Sequence, residues 1–167
     1  MQDTKSRLKR VDLIFTEDCS YKGVLEKALK QPKEEIIKEI LDSGLRGRGG
    51  AGFPTGLKWK FTAQEKDDEK FVVCNADEGE PGTFKDREIL FRVPYKVFGG
   101  MAVCGYAVGA SEGYVYLRGE YEFLKKDIQQ KIDLFHNTLD ELGFNFRIKL
   151  LLGSGAYICG EESALFE

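Results

Sequence analysis

The chain predicts an α/β fold built on a parallel or mostly parallel sheet. Short β-branched and apolar runs recur at residues 70–75, 112–118 and 146–152. Helical patterns alternate with them, which is the order a parallel sheet requires. Segments rich in carboxylates or glycine follow the first and last of these runs, where α/β sheets place their ligands. At 167 residues the chain is one domain's worth and long enough to bury a core.

The elements follow in order. Residues 19–30 and 32–43 read as two short helices. In the second, Ile36, Ile37, Ile40 and Leu41 form one apolar stripe, Pro32 suits the first turn and Gly44 ends it. A glycine-rich loop comes next. Residues 70–75 are a buried strand, and the acidic loop 76–86 leaves its end. Residues 86–92 start a helix with Asp86 as its cap. Pro94 breaks it, and residues 95–109 continue as a very apolar helix. Its small residues, Gly99, Gly100, Ala102, Gly105 and Ala107, permit close packing on a sheet. After the strand at 112–118, residues 120–142 read as one long charged amphipathic helix closed by Gly143. The strand at 146–152 runs into a Gly153-Ser154-Gly155 turn, and residues 161–166 open a further helix. The sequence stops inside that helix, so a fragment of a longer protein is expected.

Composition narrows the function. Hydrophobic residues make up 42% and charged residues 32%, ordinary for a globular protein. A net charge of −3 argues against a dedicated nucleic-acid binder. The basic run from Lys5 to Arg10 is short and reads as a solvated tail or the entry to a first strand. No apolar run approaches the roughly 20 residues that span a bilayer, and no signal-peptide pattern opens the chain. Cys19, Cys74, Cys104 and Cys159 stand far apart, which is neither a metal-ligand spacing nor a disulfide framework. They read as buried reduced thiols. His136 reads as a surface or boundary residue.

Three segments carry chemistry. In the first, six glycines fall within thirteen residues, Gly44 to Gly56, with Arg46, Arg48 and Phe53 among them and Lys58, Trp59 and Phe61 just beyond. Glycine lets a ligand approach the main chain. Turned backbone N–H groups beside Arg and Lys suit a phosphate or an anionic ring, and aromatic faces suit a planar ring. The segment therefore reads as a nucleotide or flavin site. Gly47 to Gly52 spell G-x-G-x-x-G, but a dinucleotide-binding turn follows a strand and opens a helix. Here a helix precedes the glycines and Pro54 follows them, so that assignment fails. The embedded aromatics also separate the segment from a flexible linker. In the second segment, Asp77, Glu78 and Glu80 lie just past a strand end, held by a Pro81-Gly82 turn. Elsewhere such a cluster would be a solvated turn. In the third, Tyr157, Gly160, Glu161 and Glu162 follow the last strand. Two carboxylates at a helix start also suit the helix dipole without any ligand.

These three segments, in this order, resemble the flavoprotein subunit of NADH-oxidising electron-transfer complexes. That family includes the FMN-bearing subunit of respiratory NADH:quinone oxidoreductase and the diaphorase subunits of NAD-linked hydrogenases and formate dehydrogenases. The resemblance runs from about Leu41 to the last residue. It implies a Rossmann-like α/β/α sandwich, truncated here, with residues 1–43 as a helical segment and 44–167 as part of the FMN/NADH-binding domain. It implies that Gly47, Arg48, Gly49 and Gly50 wrap FMN and that Phe53, Lys58 and Phe61 meet NADH. By the same resemblance Asn75, Asp77 and Glu78 bond the flavin or the nicotinamide carboxamide, and Glu80 approaches NADH. Tyr157 and Glu162 lie beside FMN and nicotinamide, near Gly160 and Glu161. Glu78 and Glu162 are the expected catalytic carboxylates, and no metal site falls within the chain.

The implied activity is NADH oxidation by hydride transfer to FMN, with electrons passing singly to iron–sulfur clusters. A [4Fe–4S] cluster belongs to the C-terminal part, and a thioredoxin-like [2Fe–2S] subunit is the expected partner. The expected location is cytoplasmic, or peripheral on the inner face of the cytoplasmic membrane, and the fragment alone is expected to be inactive. Two alternatives remain: a related membrane electron-transfer subunit without NADH activity, and a non-catalytic assembly module.

Overall fold

A computed structural model describes residues 14–16, 20–48 and 50–153. Three parallel strands, β1 (Phe71–Ala76), β2 (Glu112–Leu117) and β3 (Arg147–Leu152), form one sheet in the order β1-β2-β3. The register aligns Asn75 with Tyr116 and Tyr116 with Leu151. Parallel neighbours need long crossovers. Helices α4 (Lys85–Arg92) and α5 (Pro94–Val108) supply the first crossover. A 3-10 helix (Gly119–Leu124) and α6 (Lys125–Glu141) supply the second. Ahead of the sheet come α1 (Tyr21–Ala28), α2 (Lys33–Asp42) and α3 (Thr55–Gln64).

The predicted α/β class with a parallel sheet is the class observed. Both crossover helices share one core with the sheet. Ile128, Ile132, Phe135 and Leu139 form a helical stripe on α6 with no exposed surface, and meet Phe98, Val115, Leu117 and Phe146. Each such side chain contributes about 1.5–3 kcal/mol by leaving water. The small residues of α5 act as expected: a Cβ on Gly105 would stand 2.5 Å from the Phe146 ring. A second cluster, Ala28, Ile36, Ile37 and Ala107, ties α1 and α2 to the end of α5, with Trp59 and Ala63 of α3 against it. On the other sheet face Phe71, Val73 and Leu151 are exposed.

The structure differs from the sequence expectations in five places. The first strand, expected to be buried, leaves Phe71 and Val73 exposed on the sheet face away from α5 and α6. The first helix is shorter, because Ser20 caps it: its Oγ accepts the Gly23 N–H at 3.3 Å. α3 has no counterpart among the expected elements, which pass from the glycine-rich loop to the strand at 70–75. The segment expected as a single helix over 120–142 breaks at Tyr121, whose φ of −96° and ψ of 15° are non-helical. α4 starts at Lys85, with Asp86 inside its first turn and no cap from its own N-cap residue, Phe84. Among the described residues, no helix is long and apolar enough to cross a membrane.

Candidate functional site

The glycine-rich segment is a pinched loop between α2 and α3. Its base is an antiparallel bridge between Arg46 and Pro54. The Gly47 N–H donates to the Phe53 carbonyl at 2.9 Å, and the Thr55 N–H donates to the Leu45 carbonyl at 2.9 Å. The Arg46 guanidinium donates across the loop to the Gly52 carbonyl at 3.0 Å. These bonds separate the segment from a linker, which would have no fixed base. Gly50, with φ of 100°, holds a backbone conformation that other residues rarely adopt. No heavy atom lies within 4 Å of where its Cβ would be.

Arg48 is exposed on this loop, and Phe53 is 47% exposed. Lys58 and Phe61 stand three residues apart on α3, hence on one helix face, and Phe61 is 50% exposed. Trp59 instead turns toward α2 and α5 and belongs to the core.

The acidic loop leaves the C-terminal end of β1. Its backbone is folded by its own side chains. Asn75 Oδ1 accepts the Asp77 N–H at 3.0 Å. Pro81 and Gly82 occupy the centre of a turn closed by the Thr83 N–H on the Glu80 carbonyl at 3.3 Å. Gly82 has φ of 81°, as a type II turn requires after proline. Glu80 is exposed and Asp77 half-buried.

Glu78 is different. It is 8% exposed, and its two carboxylate oxygens accept the N–H groups of Lys85 at 2.9 Å and Asp86 at 3.0 Å. It therefore caps α4 from seven residues upstream, supplying the acceptors that the helix start lacks. The Tyr121 hydroxyl lies 3.4 Å from the same carboxylate. Burial, and then the neighbouring Glu78 charge, push the Tyr121 pKa up. The Arg118 guanidinium donates to the Glu78 carbonyl.

The sequence-derived residues thus form two groups: Gly47, Arg48, Gly50, Phe53, Lys58 and Phe61 on the glycine loop and α3, and Asn75, Asp77, Glu78 and Glu80 on the acidic loop. Gly49, Tyr157, Gly160, Glu161 and Glu162 lie outside the described residues. Sequence reasoning missed Arg118 and Tyr121. The only signal for them was their position just past the end of a central strand. Among the described residues no cluster of His, Cys, Asp and Glu could hold a metal.

Positive-φ glycine with open space, an exposed arginine and two half-exposed aromatics suit a flat, phosphate-bearing ring system. Fixed carboxylates stand at a strand end, where α/β folds bind cofactors. This donor set fits a flavin nucleotide and defines an α/β flavin-binding domain.

The chain belongs to the family of the 51 kDa subunit of complex I, with residues 40–167 matching its Nuo51 FMN-binding domain. It is 50% identical over 162 residues to the α subunit of the NAD-reducing hydrogenase HoxS of Cupriavidus necator, covering 93% of this chain and 27% of that protein. It is 42% identical over 181 aligned residues to the mitochondrial NADH dehydrogenase [ubiquinone] flavoprotein 1 of Dictyostelium discoideum, covering 96% of this chain and 38% of that one. In three dimensions it resembles a chain in the crystal structure of an NAD+-reducing [NiFe]-hydrogenase in the H2-reduced state. The TM-score is 0.86 at 40% identity, over 95% of this chain and 28% of that chain. The chain therefore spans well under half the length of these relatives.

Proposed function

We propose that the chain is part of a flavoprotein subunit that oxidises NADH by hydride transfer to FMN and passes the electrons singly to iron–sulfur clusters. What supports this most is a pinned glycine loop and a pinned acidic loop within the span matching the FMN-binding domain of the family. Bound FMN supplies the two-electron acceptance and one-electron release, so no side chain here needs to act as a general acid or base.

The chain's residues bind and orient. Gly47, Arg48, Gly49 and Gly50 hold the flavin nucleotide, Phe53 and Phe61 stack on NADH, and Lys58 meets its ribose or phosphate. Asn75 and Asp77 fix the flavin or the carboxamide, and Glu80 reaches NADH from the exposed side of its turn. Tyr157, Gly160, Glu161 and Glu162 complete the site. Hydride departure leaves nicotinamide cationic, and fixed carboxylates stabilise that developing charge. Glu162 takes this part directly, while Glu78 contributes through the loop whose ends it joins. The [4Fe–4S] cluster belongs to the portion of the relatives that this chain does not span. A thioredoxin-like [2Fe–2S] subunit is the partner, in a complex located in the cytoplasm or peripherally on the inner face of the cytoplasmic membrane.

The test is stopped-flow bleaching of flavin absorbance at about 450 nm by NADH in the full-length protein. Rapid bleaching is expected, and Glu162→Gln should slow it by about tenfold for each 1.4 kcal/mol of transition-state stabilisation lost. Bound FMN that NADH does not bleach would overturn NADH oxidation in favour of a related electron-transfer subunit. A full-length protein without flavin would make the domain a non-catalytic module.

A further inference from the structure

Residues 77–84 join β1 to α4, and most of their surface is exposed. A loop of that kind, left to itself, would sample many shapes, and its carboxylates would meet a ligand only in a few. Four side chains from three elements prevent this.

Arg118 stands at the C-terminal end of β2. Its own N–H donates to the Ala76 carbonyl at 3.2 Å, prolonging the sheet pairing by one residue. Its guanidinium is gripped by Glu120: Nε lies 2.7 Å from one carboxylate oxygen and a terminal nitrogen 2.8 Å from the other. The remaining terminal nitrogen is thereby aimed at the Glu78 carbonyl. A planar fork held on one side and donating from the other is arginine geometry that lysine cannot reproduce. The Glu120 carboxyl is held down to about 2 by this bonding to Arg118, so the grip persists at neutral pH.

Glu78 carries the tie to the far end of the loop. Its carboxylate accepts the Lys85 and Asp86 N–H groups, so the second residue of the loop is bonded to the first residues of α4. Tyr121 closes the ring from the 3-10 helix. Its hydroxyl lies 3.4 Å from the Glu78 carboxylate and 3.5 Å from the Thr83 carbonyl, and with one proton it donates to either in turn. Arg87 lies 5.4 Å over the Phe84 ring and 6.0 Å over the Tyr121 ring, covering the outside of this closure.

We propose that Arg118 and Tyr121, acting through Glu78, are positioning residues that lock the acidic loop so that Asp77 and Glu80 meet the nicotinamide nucleotide in one fixed geometry. This rests on the functional reading above. Arg118 fixes the start of the loop, Glu78 joins start to end, and Tyr121 bridges the middle. Asp77 and Glu80 lie inside this ring and make no side-chain hydrogen bond in its closure, although the Asp77 charge bears on Arg118. Loosening the latch therefore weakens nucleotide binding before it affects the reacting atoms.

The experiment uses the full-length, FMN-loaded protein with Arg118→Lys, Glu120→Gln and Tyr121→Phe. Each variant keeps the bulk of its side chain, and Glu120 lies on the surface, so folding is preserved. Two readouts are taken: hydrogen exchange at the amides of Lys85 and Asp86, and the separate KM and kcat for NADH. In Arg118→Lys and Glu120→Gln, exchange at these amides should accelerate by about tenfold or more. NADH KM should rise by about threefold or more while kcat changes less. Tyr121→Phe should move both readouts in the same direction by a smaller amount. Unchanged exchange in Arg118→Lys and Glu120→Gln would overturn the latch. Faster exchange with an unchanged KM would overturn its positioning role and leave Arg118 as a purely structural residue. If the unmodified protein failed to oxidise NADH, the functional reading and the positioning role that rests on it would both fall, while the exchange readout would still decide whether the latch exists.

Discussion

Phe53 lies outside the buried clusters: it is 47% exposed at the mouth of a loop whose base its own carbonyl helps to close. An aromatic kept half in water, beside a glycine with open space, is available for stacking. Such a contact is worth about 1 kcal/mol beyond burial. Phe53→Ala in the full-length protein should therefore raise the NADH KM by about fivefold with a smaller change in kcat. Steady-state kinetics decide this, and an unchanged KM would assign Phe53 to holding the loop. The described cysteines, Cys74 and Cys104, make the contrary case, while Cys19 and Cys159 lie outside the described residues. Burial pushes the Cys74 thiol up to about 11 and the Cys104 thiol up to about 12, although Lys85 and Lys58 pull the other way. At pH 8 the reactive thiolate of Cys74 is thus about a hundredfold scarcer than that of an ordinary thiol, and that of Cys104 scarcer still. Mass-spectrometric mapping of iodoacetamide labelling should find both residues slow in the native state and fast after denaturation. Fast native labelling of Cys74 would mean that the first strand opens readily.

At the scale of elements, what was legible was what repeats locally. The strands, α2 and α5 follow from β-branched runs, an isoleucine stripe, and a very apolar run after the Pro94 break; that Pro94 opens α5 and Gly109 caps it is what the structure adds. α3 was not legible because it has no apolar periodicity: Trp59 and Ala63 turn to the core while Lys58 and Phe61 turn outward. The cap of α4 was not legible because it comes from Glu78, in another part of the chain, whereas local rules offered Asp86. The acidic loop was legible as a cluster past a strand end, whereas the bonds of Glu78 to the Lys85 and Asp86 N–H groups were not, because those partners lie seven and eight residues further on. His136 repeats the lesson. It is half-buried, within the surface-or-boundary expectation, but its partner was not legible: its Nε2 accepts the Ile148 N–H at 2.9 Å, fastening α6 to β3. Only the neutral ring can accept that bond. Burial and the Arg147 charge lower its pKa from the ordinary 6.5, against the pull of Asp133 and Asp140. A depressed native pKa means that the unfolded state binds the proton first. The stability His136 contributes is then fully present above about pH 6.5 and is lost as pH falls through the lower native value. Thermal melts should show the wild type losing this increment as pH falls below 6.5. His136→Ala should lack the increment, with about 1 kcal/mol less stability at pH 8. Parallel pH profiles would remove the hydrogen bond from the account of that dependence.

At the scale of the whole molecule, the described sheet is covered on one face and open on the other. The helices α5 and α6 and the core beneath them shield one side. The other shows Phe71, 49% exposed, Val73, 37%, and Leu151, 44%, in one register with Tyr114 and Tyr116. Polar groups on this face include Asn75, Arg147 and a Lys149–Glu112 ion pair at 2.8 Å, with the Lys149 ammonium also 5.6 Å over the Tyr114 ring. Sheets of this kind are stable in water when both faces are covered, and β1 and β3 are the edges of the described sheet, which invite pairing with another chain. Apolar surface of this sort marks a contact with protein. The 167-residue chain purified alone should therefore self-associate in concentrated solution and hold FMN weakly or not at all. The double variant Phe71→Ser, Leu151→Lys should shift it toward the monomer without loss of secondary structure, because neither side chain belongs to the buried cluster. Sedimentation velocity across a dilution series, with circular dichroism as the control for folding, separates the outcomes. A monomeric parent chain would show that the open face tolerates water. Association unaltered by the double variant would move the contact to the strand edges, and tight stoichiometric FMN on the monomer would show that the described loops suffice to hold the flavin.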